Sequence, residues 1–129
     1  MNDYIINMIW VGTGGFIGSA ARFSISYFSQ RFENIHPNFS TLAVNLIGSL
    51  LLGIMSEYIL ENKSISQGVG LFLTVGLCGG FTTFSTFAYE NILLLKEGHF
   101  VMAALYIFGS LIGGIVLFIF GMYISKQLL

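Results

Sequence analysis

The segment GLCGGFTTFSTF, residues 76–87, lies inside a long apolar run, yet it is a poor sequence for a continuous membrane helix. It holds three glycines, three threonines, one serine and three phenylalanines, and it has no charge. The adjacent Gly79 and Gly80 each cost a helix about 1 kcal/mol relative to alanine, and the β-branched Thr82 and Thr83 add a smaller cost. The sequence therefore predicts a break in the middle of a membrane-spanning helix.

The whole chain has the composition of an integral membrane protein. Of its 129 residues, 55% are hydrophobic and 9% are charged, whereas soluble domains have about 25% charged residues. A net charge of −1 excludes a basic surface for nucleic acid, and the single Cys78 excludes an internal disulfide. No histidine lies within an apolar segment and Ser85 has no base within reach in the sequence, so we do not expect an enzyme.

Four apolar segments are long enough to cross a bilayer, which takes about 20 residues. They run from Tyr4 to Ser24, from Thr41 to Tyr58, from Val69 to Leu95 and from Phe100 to Ile124. Polar stretches separate them at residues 31–40, 61–68 and 96–99. We therefore predict an all-α membrane protein with a single four-span domain over residues 1–129. The third segment is longer than one span needs, which either tilt or a break into two half-helices would explain.

The charges flanking these spans give almost no orientation signal. Four spans place both termini and the second loop on one side, with Lys63 and Lys126. The other side holds Arg31 and Lys96, and Arg22 if it is counted as a flank. Either these numbers are too small to be informative, or the chain inserts in both orientations and forms an antiparallel homodimer.

Polar residues within the spans recur at helical spacing, and such groups must face protein or water because lipid offers them no partner. Two such faces combine residues at i, i+4 and i+8: Thr41, Asn45 and Ser49; Tyr106, Ser110 and Gly114. Asn45, in mid-span, either joins two helices or binds a permeating species. Arg22, near a span end, either extends to the interface, which its position favours, or attracts anions.

Small residues and aromatic rings complete the pattern. Three glycine pairs have the spacing that lets membrane helices approach closely: Gly14/Gly18, Gly76/Gly80 and Gly109/Gly113. Carbonyls freed by the predicted break would suit a small hard cation such as Na⁺. Phe84 and Phe87, at i and i+3, place two rings on one helix face. Ring edges can stabilise a desolvated anion weakly, although helix packing is the commoner use of such rings.

Three segments in order closely resemble the Fluc (CrcB) family of fluoride channels: GGFIGSAARF at 14–23, STLAVNLIGS at 40–49 and GGFTTFSTF at 79–87. The resemblance covers essentially the whole chain. It implies an antiparallel, dual-topology homodimer with two fluoride pores in the cell membrane of a microbe. It also implies passive, electrogenic fluoride efflux that protects the cytoplasm. The expected partners are a second copy of the chain, fluoride and the lipid bilayer.

The resemblance also implies roles for individual residues. Phe84, Phe87 and Asn45 would line the pore, and the backbone carbonyls of Gly79 and Thr82 from both subunits would hold a structural Na⁺. Near the break, polar groups are expected from Thr83 and Ser85, and with less weight from Thr86. On the fourth span they are expected from Tyr106 and Ser110. Arg22 would lie in the vestibule, and Glu90 is the acidic residue after the phenylalanines. The family can carry a serine one turn after Ser110, where this chain has Gly114.

Two other functions were weighed against this one. A small dual-topology exporter of cationic drugs would need an acidic residue well inside a span, and only Glu57 and Glu90 come close. A membrane protein that binds partners through its glycine faces would conduct no ions. Neither alternative explains Asn45 together with the two phenylalanines.

Overall fold

The computed structural model describes residues 2–31 and 37–128, with Pro37 described by its backbone alone. The described part consists of six α-helical segments and one π-helical segment. In chain order these are α1 (Asp3–Ser29), α2 (Pro37–Glu61), α3 (Gln67–Leu71), the π-helical segment (Phe72–Cys78), α4 (Gly79–Phe81), α5 (Phe84–Lys96) and α6 (Phe100–Leu128).

The described residues contain four helices that are long and apolar enough to cross a membrane, which confirms the predicted number and order of spans. They are α1, α2, the third span Gln67–Lys96 and α6. Each is longer than the apolar segment that predicted it. At about 1.5 Å per residue, the 27 residues of α1 extend roughly 40 Å, beyond a hydrocarbon core of about 30 Å. The helices therefore continue into the polar interface.

The first predicted loop is shorter than expected, because α2 already begins at Pro37 and residues 38–40 are helical. Proline suits a first helical position, where its missing N–H has no partner to lose. The rest of that loop, residues 32–36 with His36, lies outside the described residues. At the last loop, Gly98 has a φ of +80°, which favours glycine, and α6 starts two residues later.

The third span departs from a continuous α-helix in the segment quoted above. Thr82 (ψ 160°) and Thr83 (φ −150°, ψ 118°) have extended backbones between α4 and α5. The side chain of Thr83 accepts a hydrogen bond from the Thr86 N–H, as an N-cap residue does, so α5 restarts with its own cap. The span bends by only 17° in total, so the segments before and after these threonines keep similar directions.

Glycines allow two pairs of spans to approach backbone to backbone. A Cβ on Gly18 would collide with the Leu77 carbonyl oxygen of the third span, and a Cβ on Gly121 of α6 would collide with the Leu50 carbonyl oxygen of α2. The predicted pairs Gly14/Gly18 and Gly76/Gly80 thus pack on each other. Gly109 has open space around it in the single chain. These contacts pack α1 on the third span and α6 on α2.

Most of the apolar side chains stay exposed in the single chain. Only a few are buried, among them Val44, Leu94, Ala103 and Tyr106. Exposed aromatic and aliphatic groups lie along all four spans, as is usual for a protein whose surroundings are lipid or another apolar subunit.

Candidate functional site

The side-chain amide of Asn45 binds the backbone of Thr83 at the interruption of the third span. Its Nδ2 donates to the Thr83 carbonyl oxygen at 3.0 Å, and its Oδ1 accepts from the Thr83 N–H at 2.8 Å. Extended residues in a membrane protein lose their helical partners and need replacements. Asn45 replaces the helical acceptor that the Thr83 N–H has lost, and it adds a second donor to the Thr83 carbonyl, which as the N-cap carbonyl already accepts the first bond of α5. Asn45 thereby joins α2 to the third span, which is one of the two roles its position suggested.

The interruption also releases two carbonyls from their ordinary helical partners. In a continuous helix the Gly79 oxygen would accept from the Thr83 N–H, and the Thr82 oxygen from the Thr86 N–H. Here the Thr83 N–H donates to Asn45, and the Thr86 N–H donates to the Thr83 Oγ1 at 3.3 Å. The carbonyls of Gly79 and Thr82 thereby become available to another ligand. Gly79 is exposed and Thr82 half-buried in the single chain.

A groove of about 240 Å³ lies beside the interruption, between α2, the third span and α6. It brings together five of the predicted site residues, Asn45, Thr83, Phe84, Phe87 and Ser110, and its wall also includes Gly48, Ser49, Leu52, Thr82 and Leu111. We call it the main groove. Its walls therefore combine amide and hydroxyl groups with two aromatic rings, and none of the described residues that line it has a charged side chain.

The two phenylalanines occupy different environments in the main groove. Phe84 is 77% exposed, whereas Phe87 is buried, and their ring centroids are 5.7 Å apart. Phe87 also packs edge to face on Tyr106, with centroids 5.0 Å apart. Nearby, the Oγ of Ser110 is buried and has no hydrogen-bond partner among the described residues. A buried hydroxyl without a partner is costly, so a water or a ligand in the groove would stabilise it.

Glu90 lies next to this groove rather than in its wall. Its two carboxylate oxygens accept hydrogen bonds from Thr41 Oγ1 at 2.8 Å and from the Tyr106 hydroxyl at 2.7 Å. The same tyrosine ring contacts Phe87, so Glu90 reaches the groove through Tyr106. The structure thus places Tyr106 and Glu90 together, one side chain away from the main groove.

Arg22 has a partner inside the bundle that neither sequence interpretation named. Its Nε donates to the Gly80 carbonyl oxygen at 3.3 Å, and the side chain is half-buried. In a continuous helix that carbonyl would accept from the Phe84 N–H, on the far side of the two extended threonines. Arg22 does not line the main groove. It instead satisfies a third carbonyl at the interruption.

The remaining hydroxyls near the interruption cluster on Thr83. Its Oγ1 donates to Thr86 Oγ1 at 3.0 Å and lies 3.5 Å from the Oγ of Ser85, which is exposed. Thr86 was expected to contribute less than Thr83 and Ser85, yet its hydroxyl lies closer to the Thr83 Oγ1 than the hydroxyl of Ser85 does. The hydroxyl of Thr83 is therefore oriented by the first turn of α5.

The two acidic residues considered for an exporter both have partners. Glu57 is buried, with a side chain 6% exposed, and its carboxylate lies 3.2 Å from the Lys126 Nζ. Glu90 accepts the two hydroxyl bonds given above. Within residues 2–31 and 37–128, no group of three His, Cys, Asp or Glu side chains could hold a metal ion.

Sequence reasoning did not assign a site role to several residues of this region. Thr41 and Ser49 share the helix face of Asn45, so their spacing carried a signal that was not used. Leu52 and Leu111 line the main groove but look like any lipid-facing leucine in the sequence.

Comparison with known proteins places this chain among relatives over nearly its full length. It is 44% identical to the fluoride-specific ion channel FluC of Chlorobium chlorochromatii, over 98% of this chain and 97% of that protein. It is 43% identical to the fluoride-specific ion channel FluC of Chlorobaculum tepidum (93% and 94%) and 38% identical to that of Agrobacterium fabrum (96% and 99%). The profile of one family, described as CrcB-like protein, Camphor Resistance (CrcB), matches residues 9–122. The chain therefore belongs to the CrcB-like family.

Proposed function

We propose that this protein is a fluoride-selective ion channel that lets fluoride leave the cell passively and electrogenically. The observation that carries the proposal is the main groove, where an amide, hydroxyls and two phenylalanine rings line one wall without a charged side chain. The relatives that bear the name fluoride-specific ion channel match this chain over nearly its full length. The protein is not an enzyme.

Fluoride is a small and strongly hydrated anion, so it must exchange water for other donors along a narrow path. Asn45 uses one Nδ2 hydrogen on Thr83, and the second hydrogen remains for an anion. Ser110 provides an unpartnered hydroxyl, and the positive edges of Phe84 and Phe87 add weak attraction. Weak and multiple contacts suit conduction, because an ion that binds tightly does not leave. A larger anion such as chloride fits such donors less well.

Glu90 has a positioning role in this scheme. Its carboxylate fixes the hydroxyls of Thr41 and Tyr106, and Tyr106 in turn supports the ring of Phe87. Because Glu90 lies outside the groove wall, its charge does not face the proposed ion path.

Arg22 supports the interruption through Gly80, and Ser85 lies exposed at the start of α5.

We further propose that the extended residues Thr82 and Thr83 are the break in the third helix, and that two antiparallel copies meet there. The Gly79 and Thr82 carbonyls, released from their helical N–H partners, fit a small cation, since hard cations prefer oxygen ligands. Two carbonyls from each subunit would coordinate one Na⁺, and the charge of the cation would offset the partial negative charges of the carbonyl oxygens. The dimer would then carry two separate pores in the cell membrane of a microbe.

The function is tested with purified protein in liposomes loaded with fluoride or chloride. A potassium gradient with valinomycin balances the charge. We expect rapid fluoride efflux that requires valinomycin, and much slower chloride efflux. Fluoride retention equal to that of protein-free liposomes would overturn the channel proposal, and efflux without valinomycin would overturn the electrogenic mechanism.

The assembly is tested by crosslinking single cysteines placed at the exposed ends of α1 and α6, in a Cys78→Ser background. An antiparallel dimer brings the end of one copy's helix near the opposite end of the other's, whereas a parallel dimer joins equal ends. Crosslinks between equal ends alone would contradict dual topology.

A further inference from the structure

We propose that Ser49 is a further residue of the fluoride path, and that it supplies the hydroxyl that Gly114 does not. The inference rests on the proposed channel function and adds a specificity-determining residue to it. It concerns the region beyond Ser110, where the next position on the polar face of α6 is Gly114, which has no side chain.

The geometry places Ser49 directly opposite the gap. Tyr106, Ser110 and Gly114 follow one another on α6 at intervals of four residues. A Cβ built on Gly114 would lie 3.4 Å from the Oγ of Ser49. The hydroxyl of α2 thus occupies the space toward which a side chain at position 114 would extend.

Ser49 also lies where two grooves meet. A second groove of about 360 Å³ is lined by Ser49, Ser110, Leu111, Gly114, Ile115 and Phe118. Ser49, Ser110 and Leu111 belong to the walls of both this groove and the main groove. Among the lining residues of the second groove, only the two serines have polar side chains. An anion that passes Ser110 therefore finds its next side-chain donor in Ser49.

The hydroxyl of Ser49 can be released for this purpose. It donates to the Asn45 carbonyl oxygen at 2.8 Å, a bond within its own helix. That carbonyl is also the acceptor of the regular helical bond from the Ser49 N–H. When the hydroxyl rotates toward the groove, the carbonyl keeps a partner, so no buried acceptor is left unpaired.

The first test compares two serines of the same helix. Ser56 is half-buried like Ser49 and donates to the carbonyl four residues earlier, at 2.6 Å, but it lines neither groove. We expect Ser49→Ala to slow fluoride efflux from liposomes about two- to tenfold, the range that one neutral hydrogen bond supports. Ser56→Ala should conduct like the wild type.

The second test asks whether a hydroxyl from the opposite helix restores the flux. In Ser49→Ala/Gly114→Ser the new serine faces the same space, and we expect at least half of the wild-type fluoride efflux. A structural role of Ser49 within α2 would not be rescued from α6. Ser49→Thr, which keeps the hydroxyl, should conduct far better than Ser49→Ala and serves if the double variant does not fold.

The outcomes separate this inference from the channel proposal. If wild type and Ser56→Ala conduct fluoride and Ser49→Ala conducts equally well, Ser49 is not on the path. If Ser49→Ala is slow and neither the double variant nor Ser49→Thr recovers, its role is structural and the inference is wrong. If wild type itself conducts no fluoride, the channel proposal fails, and this inference fails with it.

Discussion

Asn45 holds Thr83 by both ends of its side-chain amide, with Nδ2 on the Thr83 carbonyl and Oδ1 on the Thr83 N–H. One side chain of α2 thus replaces the helical acceptor of the Thr83 N–H and adds a second donor to the Thr83 carbonyl. The same amide lies in the wall of the main groove. The arrangement couples the shape of the interruption to the proposed ion path, because the amide cannot move without releasing Thr83.

Asn45→Asp should therefore damage both stability and flux. A carboxylate can still accept from the Thr83 N–H, but it cannot donate to the Thr83 carbonyl and would repel an anion in the groove. The Thr83 carbonyl keeps the first helical bond of α5, so the loss of its second donor should cost about 0.5–1.5 kcal/mol. We expect a lower unfolding temperature in detergent and little fluoride efflux. Asn62→Ala, in the loop after α2, is the control and should behave as wild type. Wild-type stability in Asn45→Asp would show that the bond from Nδ2 to the Thr83 carbonyl contributes little.

Replacement of the two phenylalanines by isoleucine should separate conduction from packing. Phe84 is 77% exposed, so Phe84→Ile should slow fluoride efflux with little change in unfolding temperature. Phe87 is buried against Tyr106, so Phe87→Ile should lower both. Loss of the aromatic pair between Phe87 and Tyr106 should cost Phe87→Ile about 0.5–1.5 kcal/mol of stability. Phe100→Ile, 66% exposed at the start of α6, is the control. Equal flux in Phe84→Ile and Phe100→Ile would leave Phe84 without a role in conduction.

The sequence predicted the four spans well, because about 20 apolar residues between polar stretches have few alternatives to a membrane helix. It also predicted a break at the glycines and threonines of residues 79–83, because these residues lower helix stability locally; the structure shows extended backbones at Thr82 and Thr83 in a span that bends by only 17°. It could not predict the partner of Asn45, because that partner is backbone and backbone groups have no sequence signature. For the same reason the contact of Arg22 with the Gly80 carbonyl was missed. Leu52 and Leu111 could not be told from lipid-facing leucines until the groove was visible.

The role of Arg22 can be tested with two variants that differ mainly in one donor. The Nε of arginine and the Nε2 of glutamine stand the same number of bonds from Cα, so Arg22→Gln keeps a donor for the Gly80 carbonyl and loses the charge. Arg22→Met has a carbon at that place and loses both. We expect Arg22→Gln to unfold near the wild-type temperature and Arg22→Met to lose about 1 kcal/mol of stability. Equal stability of the two variants would mean that the bond at 3.3 Å has no structural weight.

The ion pair between Glu57 and Lys126 should affect stability and not conduction. Lys126→Met leaves the buried carboxylate of Glu57 without a partner, which should cost about 1–3 kcal/mol, less than for a fully buried pair because Lys126 is 58% exposed. Neither residue lines the main groove, so fluoride efflux per folded protein should stay unchanged. The double variant Glu57→Gln/Lys126→Met should recover part of the stability. Loss of flux in stable Lys126→Met protein would instead link this end of α6 to conduction.

The proposed Na⁺ site predicts that Thr83→Val weakens the response of the dimer to sodium. The variant is close to isosteric, but it removes the Oγ1 that accepts from the Thr86 N–H. That N–H can then return to the Thr82 carbonyl, as in a continuous helix, and occupy one of the proposed ligands. A ligand that binds only the folded dimer raises its stability with concentration, by about 2.7 kcal/mol at 100 times its dissociation constant. Wild-type protein should thus unfold at a higher temperature in sodium chloride than in N-methylglucamine chloride, and the difference should shrink in Thr83→Val.

Thr74→Val is the control, since Thr74 donates to the Gly70 carbonyl in the same span, away from the interruption. No difference between the two salts for the wild type would exclude a stabilising sodium ion. An undiminished difference in Thr83→Val would contradict the argument that the cap of Thr83 keeps the Thr82 carbonyl free for sodium.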